Sequence, residues 1–136
     1  MVKTNVNLCG IELDNPVIPA SGTFGFGYEF AELYDINILG TFSFKGTTKE
    51  ARFGNPTPRI AECESGMINA VGLQNPGVDK VISEELPKLE KCFNKKVMAN
   101  VSGFSVDVRP FSFTHYNESR WYHKMRDGKA LDFMRI

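Results

Sequence analysis

The residues best suited to chemistry lie in one stretch, 54–77, which reads GNPTPRIAECESGMINAVGLQNPG. Asn55, Asn69 and Asn75 each offer an amide oxygen as acceptor and an amide nitrogen as donor. The glycines let the backbone approach a ligand closely, and each Asn-Pro step favours an extended or turn conformation. This pattern predicts a rigid binding loop. The composition alone also fits a loop-rich hairpin whose asparagines only stabilise turns.

Two further candidate groups follow apolar runs. Ser21-Gly22-Thr23 comes directly after the apolar run 17–20, and small polar residues at a strand end often meet a phosphate or a cofactor ring. Lys45 directly follows a second apolar run, 38–44. A lysine in that position either reaches solvent along its apolar stem or points into a site, and position alone does not decide between the two.

The elements that must position these groups alternate along the chain. The pattern predicts, in order, a hairpin at 6–13, a strand at 17–20, a helix at 28–34, a strand at 38–44, small strands at 59–61 and 67–71, a helix at 78–93 kinked by Pro87, and a strand at 97–101. Strands that alternate with helices favour a parallel sheet, with functional residues gathered at the carboxyl ends of the strands.

Length and composition narrow the class of protein. A chain of 136 residues with 42% hydrophobic residues and no net charge predicts one globular domain, with no preference for nucleic acid. The apolar runs are too short for a bilayer span, and no signal-peptide core follows Met1, so we expect a cytoplasmic protein. The cysteines, Cys9, Cys63 and Cys92, have no metal-binding spacing and are interpreted as reduced structural thiols, with no metal site.

Five motifs, in this order along the chain, carry a resemblance to a known family. They are NPVIPASGTFGFG (15–27), KGTT (45–48), RFGNPTPRIAE (52–62), SGMINAVGLQNPG (65–77) and ANVSG (99–103). Together they resemble the N-terminal part of a dihydroorotate dehydrogenase, and in particular the catalytic subunit of the NAD-linked, two-subunit bacterial class. The resemblance covers about residues 5–104.

The resemblance implies a fold and an activity. The fold would be α/β: an incomplete (β/α)8 TIM barrel made of an N-terminal hairpin and the first three βα units. The activity would be that of an FMN-dependent oxidoreductase that converts dihydroorotate to orotate in de novo pyrimidine biosynthesis. Full-length relatives would form a homodimer of catalytic subunits and bind an electron-transfer subunit with FAD and an iron–sulfur cluster.

The resemblance also implies roles for single residues. The positions that would contact FMN are Ser21, Gly22, Lys45, Gly46 and Asn100. The positions that would contact the substrate are Lys45, Asn69, Ala70, Val71, Gly72 and Leu73. Lys45, which would touch both, suits the negative charge that develops on a reduced flavin.

The family pattern ends at about residue 104, which divides the chain into 1–104, the barrel part, and 105–136, a divergent tail. No N-x-S-C-P segment, in which the family places its catalytic cysteine, occurs in these 136 residues, so we expect the isolated chain to be inactive. A change of reading frame near Ser105 would explain the tail. Within the tail, a cap at Asn117 and a stop at Asp127-Gly128 predict a helix at 117–126, although the apolar residues there have no sustained period. Three barrel strands alone would leave an unpaired sheet edge.

Two other functions remain open from the sequence. The chain is alternatively a non-catalytic remnant that binds FMN or a pyrimidine, or part of a related FMN barrel such as a dihydropyrimidine dehydrogenase. Tight FMN binding without turnover would indicate the first. A preference for dihydrouracil over dihydroorotate would indicate the second.

Overall fold

The computed structural model of the chain describes residues 2–103 and the backbone of two strands in the tail. The first element is an antiparallel hairpin of β1 (Val6–Leu8) and β2 (Ile11–Leu13), joined by a turn at Cys9 and Gly10. The alternating apolar residues of 6–13 therefore form the predicted hairpin. Its inward residues, Ile11 and Leu13, are buried.

The strand predicted at 17–20 is absent, and this prediction was wrong. The segment is not part of any ladder, although the Val17 carbonyl accepts a hydrogen bond from the Gly40 N–H at 3.2 Å. Pro19 has no N–H to donate, and the Val17 side chain is 55% exposed. The hydrogen bond from Gly40 does not extend into a ladder, so the run is not a strand.

Parallel pairing between the segments 41–48 and 96–102 forms the centre of the described fold. Ser43 pairs with Met98, and Thr47 pairs with Val101, both in the parallel sense. The second of these segments contains β5 (Lys96–Met98). The run predicted as a strand at 38–44 is extended only towards its end, because Ile36–Ile38 is a 3-10 helix. Parallel pairing of two segments joined through helices is the α/β arrangement that the pattern predicted.

Short helices cover this pairing. They are α1 (Ser21–Phe24), α2 (Tyr28–Ala31), α3 (Val78–Lys80) and α4 (Leu86–Glu90). Between α3 and α4 the backbone widens into a π-helical turn, Val81–Glu85. Pro87 follows at the start of α4, and because it has no N–H, one carbonyl of the preceding turn lacks its donor. The predicted interruption by Pro87 is therefore confirmed. The helix predicted at 28–34 is shorter than expected, with a final turn closed by hydrogen bonds to the Phe30 carbonyl.

The main core lies between the helices and the parallel pairing. Phe42 is fully buried, and its ring centroid lies 4.8 Å from that of Phe24 and 5.1 Å from that of Phe93. The rest of the cluster consists of Phe26, Ile36, Leu39, Phe44, Val78, Val81, Leu86, Leu89 and Val97. Aromatic rings from both the extended segment and the helices thus join the elements that carry the candidate site.

A second antiparallel hairpin, of β3 (Ile60–Cys63) and β4 (Gly66–Asn69), projects from this core. All eight of its residues are exposed, including the apolar Ile60, Met67 and Ile68. The small strands predicted around the central loop therefore exist, with bounds shifted by one or two residues.

The tail contributes β6 (Trp121–Arg126) and β7 (Lys129–Arg135), which pair antiparallel with each other. β7 also pairs antiparallel with β5, in the strand order β5-β7-β6. The helix predicted at 117–126 is wrong for 121–126, while 117–120 lies outside the described residues. The expectation of an unpaired edge is also wrong at β5, because β7 occupies that edge. Within the described residues, no helix has the length and apolar content needed to cross a bilayer.

Candidate functional site

Ser21 and Asn100 are in direct contact. The Asn100 side-chain nitrogen donates a hydrogen bond to the Ser21 hydroxyl oxygen at 2.9 Å. Ser21 begins α1, and Asn100 follows β5 at the carboxyl end of the parallel pairing, where its carbonyl accepts from the Thr47 N–H at 2.9 Å. Two residues that are 79 positions apart in the sequence are therefore brought together by the parallel register.

Gly46 is buried next to this contact. A Cβ atom at position 46 would lie 3.0 Å from Leu73 Cδ1, 3.2 Å from Ser102 Oγ and 3.4 Å from Asn100 Nδ2. The absence of a side chain at Gly46 therefore allows the central loop to approach the end of the parallel pairing. Gly46, Leu73 and Asn100, which the family resemblance assigned to FMN or substrate, are neighbours.

Lys45 is half-buried, and both its backbone N–H and its carbonyl are hydrogen-bonded. Its backbone N–H donates to the Gly25 carbonyl at 2.8 Å, and its carbonyl accepts from the Thr47 hydroxyl at 2.9 Å. Lys45 lines a cavity of about 550 Å³ together with Val71. This volume is in the range of small-molecule sites. Arg52 and Lys80 also line it, so the cavity wall carries several cationic side chains.

The loop that carries Val71 and Gly72 is fixed by Asn55. The Asn55 N–H donates to the Val71 carbonyl at 3.0 Å, and its side-chain nitrogen donates to the Ala70 carbonyl at 2.9 Å. Gly72 has a φ of 77°, and a Cβ atom there would lie 2.7 Å from the Asn55 side chain. Leu73 also has a positive φ, 56°, which is uncommon for a residue with a side chain. The loop is therefore a defined conformation in which backbone strain is held by neighbouring contacts.

Asn75 is the polar centre of the loop. Its residue type made it a candidate for ligand binding, while the family resemblance assigned it no contact with FMN or substrate. It is 5% exposed, and its side-chain oxygen accepts from the N–H groups of Thr48 and Gly77 at 3.1 and 3.0 Å. Its side-chain nitrogen donates to the Leu73 carbonyl and to the Thr48 hydroxyl, both at 2.9 Å. Asn75 thus ties the loop to the segment that carries Lys45. Its Asn-Pro context suggested only a turn, and no sequence signal indicated burial.

The remaining assigned residues lie at the exposed margin of this region. Asn69 ends β4 opposite Ile60, and Ala70 follows it with its N–H donating to the Arg59 carbonyl at 2.8 Å. Both Asn69 and Ala70 are exposed. Gly22 is exposed as well, and a Cβ atom there would meet nothing within 4 Å. The structure therefore gathers Ser21, Gly46, Leu73 and Asn100, places Lys45 and Val71 on one cavity, and leaves Asn69 and Gly22 facing solvent.

The side chains of Tyr28, Lys88 and Cys92, which lie in or next to the helices, have shifted pKa values. Burial, followed by a 2.7 Å hydrogen bond to Glu85, raises the pKa of Tyr28. The hydrogen bond to Glu85, at 3.0 Å, raises the pKa of the Lys88 ammonium, which also lies 5.1 Å from the centre of the Tyr28 ring. Burial raises the pKa of the Cys92 thiol. The hydrogen bonds of Glu85 with Tyr28 and Lys88 form a structural link between α2 and the π-helical turn.

Chemically, the gathered groups can hold a planar polar ligand. The Ser21 hydroxyl and the Asn100 amide offer donors for carbonyl oxygens, and the Lys45 ammonium, on the cavity wall, offers a donor for anionic groups. Among the described residues, no group of three or more His, Cys, Asp or Glu side chains is placed to hold a metal ion.

A model of one protein family matches most of the chain. It is described as dihydroorotate dehydrogenase, and it matches residues 3–119. The chain belongs to the dihydroorotate dehydrogenase family. The match begins before the hairpin β1–β2 and includes every residue assigned to the candidate site.

Three relatives from this family show how far the similarity extends. Each is named dihydroorotate dehydrogenase B (NAD(+)), catalytic subunit. The protein of Fusobacterium nucleatum is 57% identical over 105 residues, which is 77% of this chain and 34% of the relative. That of Bacillus caldolyticus is 56% identical over 107 residues, 79% of this chain and 34% of the relative. That of Streptococcus pneumoniae is 57% identical over 104 residues, 76% of this chain and 33% of the relative.

The chain therefore spans about a third of the length of the curated relatives it matches. The resemblance to the catalytic subunit of the NAD-linked class, which the five motifs carried, is confirmed by these relatives. The boundary near residue 104 stays a prediction.

Proposed function

We propose that residues 1–104 are the N-terminal barrel part of a dihydroorotate dehydrogenase and hold part of its FMN and substrate sites. The reaction is the oxidation of dihydroorotate to orotate in pyrimidine biosynthesis. The observation that carries the proposal is the contact of Asn100 with Ser21 beside Gly46, in a chain 57% identical to relatives named for this activity. On this proposal, β5 and the segment 41–48 are strands of a (β/α)8 barrel, of which this chain has the first three βα units.

The residues present fit FMN. Ser21 Oγ and Asn100 Nδ2 lie in one hydrogen-bonded pair, and Gly46 lets the Lys45–Thr47 backbone run beside them. FMN supplies the acceptor for the hydride that leaves dihydroorotate. Ser21, Gly22 and Asn100 bind and orient the ring, and the Gly46 backbone adds a polar contact. Lys45, which lines the neighbouring cavity, would supply a positive charge that stabilises the negative charge developing on the reduced flavin.

The substrate would lie on the loop side of the flavin. Lys45 and Val71 share the 550 Å³ cavity, and Leu73 packs towards Gly46. Asn69, Ala70 and Gly72 complete the proposed substrate loop. Because Asn69 is exposed and ends β4, we propose that the exposed β3–β4 hairpin brings its amide to the substrate from above the cavity.

The 136 residues by themselves are proposed to be inactive. The cysteines lie at a hairpin turn (Cys9), on the exposed hairpin β3–β4 (Cys63) and after α4 (Cys92), and all three are free thiols. None of them lines the cavity that Lys45 lines. Within residues 2–103, therefore, no cysteine is placed in the proposed site to remove the substrate proton. This observation also favours the second candidate function, a binding remnant that holds FMN or a pyrimidine without turnover.

The remaining parts of the proposal concern the location of the protein, its assembly partners and the origin of its tail. We propose a cytoplasmic protein whose full-length form pairs with itself and with an FAD and iron–sulfur electron-transfer subunit, as the relatives' name "catalytic subunit" suggests. The residues 105–136 are proposed to be a divergent tail that arose by a change of reading frame.

A chimeric enzyme tests the proposed function. Residues 1–104 of this chain would replace the matching part of the Streptococcus pneumoniae catalytic subunit, and dihydroorotate oxidation would be measured with FMN present. We expect an active chimera whose kcat falls roughly 10²- to 10³-fold in Lys45→Met, the usual loss when one stabilising charge is removed. Lys49→Met, a change at an exposed lysine, is the matched control.

The same assay separates the alternatives. A correctly folded chimera with normal FMN content but no turnover would contradict the enzymatic assignment of these residues. Equal kcat values for the Lys45→Met and Lys49→Met chimeras would show that Lys45 is not part of the site. The unmodified 136-residue chain, assayed in parallel, is expected to show no dihydroorotate oxidation. Binding of FMN by that chain without turnover would support the remnant.

A further inference from the structure

The two edges of β5 can be told apart from its hydrogen bonds. The Met98 N–H donates to the Phe42 carbonyl at 2.9 Å, and the Phe44 N–H donates to the Met98 carbonyl at 3.1 Å. The Lys96 carbonyl accepts from the Thr41 hydroxyl at 2.7 Å on the same edge. Because backbone groups alternate between the two edges along a strand, the N–H and C=O of Val97 point to the opposite edge.

The tail strand β7 lies on that opposite edge. Its register with β5 places Lys96 opposite Arg135, Val97 opposite Met134 and Met98 opposite Phe133. Since the polar groups of Val97 face β7, Val97 and Met134 must be the hydrogen-bonded pair of this antiparallel ladder. On its other edge β7 pairs with β6 over residues 129–134, from Trp121–Met134 to Arg126–Lys129.

Without the tail, no strand would pair with the edge of β5 to which the Val97 N–H and C=O point, here called the Val97 edge. An open edge next to a fully buried apolar residue is a template for strand addition by another chain, and Val97 is 0% exposed. We infer that the hairpin β6–β7 is an intramolecular edge cap, which keeps the Val97 edge of β5 from pairing with the same edge of a second copy of this chain. The occupant of the edge is thus the chain's own residues 129–135.

Proline substitution at Met134 tests the cap. Met134→Pro removes the N–H that donates to the Val97 carbonyl. Because proline does not fit inside a paired strand, it also moves the Met134 carbonyl away from the Val97 N–H, whereas Met134→Val keeps both hydrogen bonds and favours a strand. Backbone amide hydrogen exchange by NMR would follow the Val97 and Met98 amides separately. We expect the Val97 amide to exchange at least roughly tenfold faster in Met134→Pro, the equivalent of one hydrogen bond, and Met98, bonded to Phe42, to keep its protection. The same variant should form concentration-dependent dimers or larger species on size exclusion with light scattering.

Three results would contradict the proposed role of the hairpin β6–β7 as an edge cap. Unchanged Val97 protection in Met134→Pro would show that β7 does not pair there. Faster exchange at Val97 in a variant that stays monomeric at every concentration would show that the hairpin excludes no second copy. Met134→Val must behave like the unmodified chain, and self-association of that variant also overturns the inference.

A disulfide test does not depend on a destabilising proline. Lys96 and Arg135 face each other as a non-hydrogen-bonded pair, for which Cα atoms lie about 4.5 Å apart, within reach of a disulfide. Lys96→Cys with Arg135→Cys, with the three native cysteines changed to serine, should oxidise to a monomer with an internal disulfide. The control, Lys96→Cys with Lys129→Cys, joins β5 to the far end of β7 and should not. Disulfide-linked dimers in place of the internal bond would overturn the cap.

Discussion

Individual residues of the candidate site differ in what they contribute. Lys45 and Asn69 were recognisable by type and context, and both lie at surfaces that a ligand can reach, Lys45 on a cavity and Asn69 on an exposed hairpin. Asn75 has the opposite position, since it is buried and all of its recorded side-chain hydrogen bonds are to other protein groups. Asn69 and Asn75 lie six residues apart in one motif, but their replacement is therefore expected to have different effects on the stability of the protein.

Replacement of Asn75 should reduce stability. Asn75→Ala leaves the N–H groups of Thr48 and Gly77 buried without their acceptor, and the free energy of unfolding should fall by about 2–4 kcal/mol. Chemical denaturation followed by circular dichroism measures the change. Asn69→Ala, at an exposed position, is the control and should stay within about 0.5 kcal/mol. Similar losses for the two variants would contradict the structural role of Asn75.

At the scale of elements, the helical region 78–90 shows how a local signal is modified by its surroundings. Pro87 predicted an interruption, and the interruption takes the form of a π-helical turn that ends at Glu85. That turn places the Glu85 carboxylate 2.7 Å from the Tyr28 hydroxyl of α2 and 3.0 Å from the Lys88 ammonium. The widened turn therefore also sets the contact between two helices.

The link between α2 and the π-helical turn should weaken at high pH. Burial, with the Glu85 hydrogen bond, raises the pKa of Tyr28 in the folded state, so its contribution is fully present below the unfolded pKa of about 10. It is lost as the pH rises through the higher folded pKa. Tyr28→Phe should cost about 1 kcal/mol at pH 8, and the difference from the unmodified chain should shrink above pH 10.

Urea unfolding between pH 8 and pH 11 measures this difference. Tyr34→Phe, at a side chain that is 38% exposed, serves as the control and should show no such pH dependence. A Tyr28→Phe difference that stays constant up to pH 11 would show that the hydroxyl is not a stabilising donor to Glu85.

At the scale of the whole molecule, one aromatic cluster connects the parts of the site. Phe42 lies on the extended segment that leads to Lys45, and its ring meets Phe24 of α1 and Phe93 after α4. Ser21 is on the same α1, and Asn100 follows the β5 strand that pairs beside Phe42. The geometry of Ser21, Lys45 and Asn100 therefore depends on the packing around this ring.

Truncation of Phe42 should disturb the fold and the site together. Phe42→Ala should lower the free energy of unfolding by about 3–5 kcal/mol, because it removes a fully buried ring from the centre of the core. Thermal or urea unfolding checks this value. Phe53→Ala, which removes a ring that is 87% exposed, should change stability by no more than about 0.5 kcal/mol. A Phe42→Ala loss below 1 kcal/mol would mean that the cluster does not hold these elements together.

The sequence by itself determined the features that depend on local chemistry. The alternation of Val6, Leu8, Ile11 and Leu13 specified a hairpin, because apolar side chains on one face of a strand pair must be buried together. Pro87 specified a break, because it lacks an N–H in any context. The order of five motifs identified the family, and with it the candidate roles of Ser21, Lys45 and Asn100.

Only the tertiary structure decided the features that depend on distant partners. The run at 17–20 has strand composition but forms no ladder with a neighbouring segment, so it is not a strand. The capping residues Asn117 and Asp127-Gly128 predicted a helix that includes 121–126, but these residues pair with β7, which itself pairs with β5. Backbone groups at a sheet edge offer a pairing that capping residues do not reveal. The contact of Ser21 with Asn100 likewise follows from the parallel register of segments that lie far apart in the chain. The position of Asn75 follows from its antiparallel bridge to Arg52 and its side-chain hydrogen bonds to Thr48.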